Sequence, residues 1–239
     1  RQRARRSGLR RVARLLGWLV AGCLLVTGLS ALSNVGLPTH SQLLDRLDAA
    51  EKARLAEAFH LRQALGDQVW PGWGQVDVPI LVYNEAYAFL VGYAAPPPGW
   101  IAMPERQAHG GPWEAVPDDS FAGQTYYRQR LAEARFEPGA FTVLVGERWV
   151  ATLATRQYAK IDFVRGFGQE LPPLARPLVP YRLLWWWLMG ESDVTIGALL
   201  HEVFHAYQGT VAAPRLAVAE SAARHEARYP WHDPAAEAA

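Results

Sequence analysis

Thr195-Ile196-Gly197-Ala198-Leu199-Leu200-His201-Glu202-Val203-Phe204-His205-Ala206-Tyr207-Gln208 is an apolar run broken by one carboxylate and two imidazoles. From Thr195 to Ala212, Glu202 is the only Asp, Glu, Lys or Arg. The run predicts a helix over 193–208, with Glu191-Ser192-Asp193 as caps and first-turn acids and Gly209 closing it. On a helix, positions i and i+4 share a face. His201 and His205 can therefore turn two imidazoles toward one metal ion, with Glu202 one step round the helix beside a metal-activated water. A charge inside an apolar helix is costly unless it has a partner or a task. The bland alternative is two core histidines and a buried glutamate, three polar groups in one turn that each need a partner. A chance HExxH arises roughly once in a hundred chains of this length and composition.

The chain has 239 residues, half of them apolar, with ten Trp, nine Tyr and eight Phe. That suffices for one sizeable core plus a membrane segment and is not a disordered composition. Seven arginines, Arg1, Arg3, Arg5, Arg6, Arg10, Arg11 and Arg14, precede the first acid, Asp45. Without those seven of the 24 basic residues, 17 remain against 23 Asp+Glu, a balance of −6. The globular part is thus mildly acidic and gives no sign of a nucleic-acid partner. A single cysteine, Cys23, excludes an intrachain disulfide. The abundance of Arg, Ala, Leu, Pro and Trp with little Lys resembles a bacterial, high-GC composition.

Residues 15–32, LLGWLVAGCLLVTGLSAL, carry no charge. Eighteen helical residues span about 27 Å, close to the ~30 Å hydrocarbon core, and a snorkelling Arg14 extends the fit. The arginines stand on one side only, so the positive-inside rule puts the N-terminus in the cytoplasm and the rest outside. The expected organisation is a basic cytoplasmic tail (1–14), a single-pass anchor in the bacterial inner membrane (15–33), a linker (34–40) and an extracytoplasmic domain (41–239). Two alternatives stay open: a lipoprotein acylated at Cys23 after Val20-Ala21-Gly22, and a cleaved signal near Ser30-Ala31-Leu32-Ser33.

Helical spacing predicts an amphipathic helix over 41–65, capped by Ser41 and ended by Gly66-Asp67. Trp70-Pro71-Gly72-Trp73-Gly74 reads as a tight aromatic turn. Residues 78–83 and 88–93 read as strands, 104–120 as loop, 126–136 as a short helix, and 141–145 with 148–153 as a hairpin about Gly146-Glu147. After a Pro-rich stretch, the run 183–189 (LLWWWLM) is too short to span a bilayer. It fits a buried helix packed on the metal helix, an apolar pocket wall, or a patch dipping into the bilayer near the anchor.

A sheet followed by an HExxH helix and a further helix resembles the layout of zincin metallopeptidases. The residues that carry the resemblance are the uncharged flanks Ala198-Leu199-Leu200 and Ala206-Tyr207 about His201–His205. The Trp70–Trp73 turn and the stretch from Phe89 to Trp100 also look like segments of uncharacterised bacterial, membrane-anchored zincin-like proteins. The resemblance implies an α+β, zincin-like fold: a small mixed or antiparallel sheet, then the metal helix, preceded by one transmembrane helix. It implies Zn2+ as cofactor, held by His201 and His205.

A catalytic zinc takes three protein ligands and an open position. The metzincin spacing fails, with Gln208 in place of its Gly and Val211 in place of its third His. The gluzincin pattern implies a Glu on a following helix, here 215–229, where Glu226 has the better spacing and Glu220 the poorer. His225, Asp233 and Glu237 are further candidates, and the last residues read as the first turn of a helix, so the domain is expected to be truncated and a ligand beyond Ala239 stays open. The implied function is a membrane-anchored zinc metallohydrolase, a peptidase using zinc-activated water with Glu202 as general base. The alternatives are a non-catalytic zincin-like module with structural zinc, and a tethered domain without metal. The partners implied are the membrane and a peptide or protein substrate.

Overall fold

Helix α1 (Gln2–Ser33) takes in the arginine-rich stretch and the whole apolar run. Its segment Arg14–Ser33, with a mean hydropathy of 2.1, is long and apolar enough to cross a membrane. The computed structural model describes residues 2–103, 106–131 and 142–223. These form two compact units: the N-terminal stretch to Thr39 with Lys160–Glu191, and His40–Ala159 with the chain from Ser192 onward.

The larger unit is built on a mixed sheet. Its strands are β1 (Ile80–Tyr83), β2 (Tyr87–Val91), β3 (Trp100–Ala102), β4 (Gln107–His109), β5 (Glu114–Ala115), β6 (Tyr127–Arg130), β7 (Thr142–Val145) and β8 (Arg148–Ala154). They are ordered β4-β3-β7-β8-β1-β2-β6-β5. The β1–β8 pair is parallel, with Ile80 beside Ala151, and the other pairs are antiparallel. Every residue of β1 is buried, as expected of a central strand covered on both faces. The mixed α and β character matches the expectation, but among the described residues the sheet has eight strands rather than a few. The β7–β8 hairpin about Gly146 and Glu147 forms as its turn residues predict.

Helix α2 (Ala49–Val69) starts eight residues later than the spacing predicts. Ser41 is not its cap. The Ser41 backbone N–H and hydroxyl both donate to the Glu85 carboxylate, at 2.6 Å each. Asn84 Nδ2 donates to the Leu43 and Leu44 carbonyls, which holds this stretch out of the helix. The cap is Asp48, whose Oδ1 accepts from the Glu51 N–H at 2.7 Å. Gly66 does not end the helix. A Cβ there would stand 2.8 Å from Gly74 N, so the glycine lets the 70–76 turn lie against the helix.

Three other expectations are corrected. Residues 127–130 are strand β6, not helix, because they pair with β2 in register Tyr127–Leu90; residues 132–136 lie outside the described chain. The stretch expected as loop carries β4 and β5. Helix α3 (Arg156–Glu170) was not anticipated; it opens at Thr155, whose hydroxyl accepts from the Tyr158 N–H.

Helix α5 (Ser192–Ala223) carries the motif and packs across β8 and β7 and against α2. Its buried residues Leu199, Val203, Ala206 and Tyr207 form one stripe at i, i+4, i+7 and i+8. They join Leu55 and Ala58 of α2 and Ile80, Val82, Phe89, Val91 and Ala151 of the sheet in one core. Gly209 does not close α5. The helix runs on to a break at Ala212 (φ −148°, ψ 40°), where Pro214 removes an N–H and crowds the carbonyl four residues back. Gly209 serves packing instead: a Cβ there would lie 2.3 Å from the Trp149 ring.

In the smaller unit, helix α4 (Tyr181–Met189) buries only Tyr181 and Trp185. The expected buried helix is overturned, since Leu183, Trp186, Trp187 and Leu188 are all exposed.

Candidate metal centre

The positions of the two histidines follow from the helical stripe. With Leu199 as reference, His201 and His205 stand about 200° and 240° round the helix, on the side away from the core. His201 is accordingly exposed and His205 half-buried. Their Nε2 atoms approach to 3.0 Å, with the ring planes at 88°. The two ring nitrogens thus lie side by side on one face of the helix.

Gln208 fixes the orientation of His205. Its Oε1 lies 3.0 Å from His205 Nδ1. With the proton on Nδ1 and donated to that amide oxygen, Nε2 carries the lone pair. A ligating histidine is commonly oriented in this way, its second nitrogen donating to a carbonyl or carboxylate. Sequence reading met Gln208 only as a mismatch to another motif. Its position at i+3 from His205 was the signal that could have found it.

Glu202 lies about 60° from the core stripe and is buried, at 9% exposure. Glu202 has an interaction partner in the fold. The next turn is braced by aromatic contacts. Phe204 meets Trp73 edge-on at 5.1 Å and Trp70 at 6.1 Å. The Tyr207 hydroxyl donates to the Pro71 carbonyl at 3.1 Å. The aromatic turn read at 70–74 thus buttresses the motif helix. It is pinned in turn by Arg62, which donates to the carbonyls of Trp73, Gly74 and Val76. Burial pulls the Arg62 guanidinium below its ordinary pKa. The same end of the turn is also held by Asp67, which accepts from Gly74 N and Gln75 Nε2.

Among the described residues, no three His, Cys, Asp or Glu side chains gather at one point. Glu220 lies on α5 beyond the break at Ala212. Glu226, His225, Asp233 and Glu237 lie outside the described residues. The donor chemistry still suits zinc: two imidazole nitrogens 3.0 Å apart stand near the ~3.3 Å separation that tetrahedral bonds of ~2.05 Å give. No protein-family model, no curated protein and no solved structure matches this chain.

Proposed function

We propose that the chain is a membrane-anchored, zinc-dependent hydrolase acting on peptide bonds. The observation that carries this reading is the convergence of His201 and His205 Nε2 at 3.0 Å on the outer face of a helix otherwise committed to the core. His201 and His205 would hold the ion, with a carboxylate, Glu226 by spacing, as third ligand. When bound, zinc supplies Lewis-acid activation of water and of the scissile carbonyl. Glu202 takes the proton from the attacking water and passes it to the leaving amine. Gln208 keeps His205 in the tautomer that presents Nε2. Helix α1 would tether the site to the outer face of a bacterial cytoplasmic membrane, its arginines inside.

The burial of Glu202 beside an exposed His201 favours one second reading, a non-catalytic binding module with structural zinc. The two separate cleanly. The full chain and its His205→Ala variant are assayed for zinc by elemental mass spectrometry, and the Glu202→Gln variant for zinc and peptide hydrolysis. The hydrolase reading expects one zinc per chain, lost in His205→Ala, and Glu202→Gln that keeps zinc and loses turnover. Zinc without turnover in the parent across a broad peptide library leaves the binding module. Parent chain without zinc after supplementation sinks both.

A further inference from the structure

The smaller unit presents an apolar face that its own packing does not use. Helix α4 has two sides. Tyr181 and Trp185 turn inward, where Trp185 meets Phe163 at 5.6 Å and Tyr181 meets Phe167 edge-on at 6.3 Å. Leu183, Trp186 and Trp187, at i, i+3 and i+4, turn outward and are 57, 65 and 75% exposed. Leu188 adds to the same apolar surface, and no charged residue stands between Arg182 and Glu191. Two adjacent exposed tryptophans on a soluble surface are costly and call for a cover.

The hydrogen bonds say what covers them. Asn34 immediately follows the apolar segment that ends at Ser33. Its side-chain Nδ2 donates to the Val179 carbonyl at 2.6 Å, and its Oδ1 accepts from the Tyr181 N–H at 3.0 Å. Arg182 donates to the Val35 carbonyl at 3.1 Å. The first turn of α4 is thus stitched to the end of the membrane-spanning segment by three bonds. Wherever that end meets the bilayer surface, α4 is there too. At nine residues α4 is about 14 Å long, less than half a hydrocarbon core, so it lies in the interface rather than across it. Tryptophan is the side chain most enriched at that depth, apolar in body with one N–H for the headgroups. Arg176 and Arg182 flank the patch with positive charge suited to anionic headgroups.

We infer that the Leu183–Trp186–Trp187 face of α4 is a membrane-interfacial surface, seated in the headgroup layer beside the outer end of α1. It rests on α1 spanning the bilayer and is independent of zinc or hydrolysis. The surface is a second membrane contact and fixes the rotation of the smaller unit about its anchor, which a lone helix leaves free.

The test uses the full chain in phosphatidylcholine–phosphatidylglycerol vesicles, with Cys23→Ser as background. Single cysteines are placed by Leu25→Cys, Leu183→Cys, Trp187→Cys and Glu57→Cys and given a nitroxide label. All four positions are exposed, so the label does not disturb the core. Collisions are measured with oxygen, which partitions into lipid, and with a water-soluble nickel chelate. The expected result is an oxygen-to-nickel ratio at 183 and 187 several-fold above that at 57, and approaching that at 25. A ratio at 187 equal to that at 57, with 25 in lipid, overturns the inference while leaving the anchor intact. Low collision with both reagents at 187 also overturns it, in favour of a protein partner or a second copy. A water-exposed label at 25 removes the anchor and the inference with it.

Discussion

Two glycines on α5 should respond to the same substitution with opposite signs. Gly197 is exposed, and a Cβ there meets nothing within 4 Å. Gly197→Ala therefore collects the helix propensity of alanine over glycine, about 1 kcal/mol. Gly209 collects the same propensity, but its Cβ would stand 2.3, 2.6 and 2.7 Å from three Trp149 ring atoms. Those atoms belong to the fused part of the indole, so no flexible tip can swing aside. Either α5 lifts from β8 or the half-exposed ring shifts by more than 1 Å, and such overpacking costs about 1–3 kcal/mol or more. Net of propensity, Gly209→Ala is expected to destabilise by up to about 2 kcal/mol. At about 2–4 °C per kcal/mol for a chain of this size, Gly197→Ala raises Tm by a few degrees and Gly209→Ala lowers it. The assay is thermal unfolding of the full chain in one detergent at one scan rate, followed by circular dichroism. Trp149→Ala completes a cycle. In its background Gly209→Ala should turn stabilising, a coupling of about 1–3 kcal/mol. A rise in Tm for Gly209→Ala in the parent, or strict additivity with Trp149→Ala, refutes the packing argument.

Gln208→Leu should lower zinc affinity 10–100-fold by competition with a chromophoric chelator, whereas Gln208→Glu, which keeps an acceptor for His205 Nδ1, should retain it. Arg62→Met deprives three carbonyls of their donor and should cost about 2–3 kcal/mol in the same unfolding assay. Asp119 gives a pH signature. Burial alone would raise its pKa, but bonds from Lys52, Tyr126 and the Ser120 N–H outweigh it and hold the carboxyl below its ordinary value. A carboxyl depressed in the fold stabilises above its unfolded pKa near 3.9 and loses that stability as pH falls through the folded value. The Tm of the parent should thus drop below about pH 4 more steeply than that of Asp119→Asn, and parallel curves would count against the ion pair.

The parts of this fold that were legible were those set by local chemistry. The β7–β8 hairpin follows from Gly146-Glu147, and the two strands at 80–83 and 87–91 follow from short β-branched and aromatic runs. The motif helix was legible because its apolar stripe and its first-turn acid, Asp193, agree. What failed was decided at a distance. Ser41 looks like a cap from its neighbours, but Glu85, forty-four residues on, takes its hydroxyl and N–H. Gly66 and Gly209 look like helix stops, yet both are interior glycines set by a close approach, of the Gly74 backbone in one case and the Trp149 ring in the other. Tyr127–Arg130 could be helix or strand until β2 supplies the pairing. The tryptophan run of α4 reads as core by hydropathy alone, and only the fold reveals that Leu183, Trp186 and Trp187 are exposed.

The arrangement on α5 also narrows where a third ligand can come from. The stripe of Leu199, Val203, Ala206 and Tyr207 faces the sheet and α2, while His201 and His205 point away from it. A carboxylate offered from a strand would have to pass through the helix to reach the two Nε2 atoms. The ligand must therefore approach from the outer side of α5. Beyond the break at Ala212 the chain no longer shares the axis of the motif segment. A continuous helix would carry Glu220 and Glu226 about 22 and 32 Å along that axis from His205, far beyond any zinc bond. A carboxylate at Glu220 or Glu226 could turn back toward the histidines only through a change of direction, and the break at Ala212 and Pro214 is one place for it.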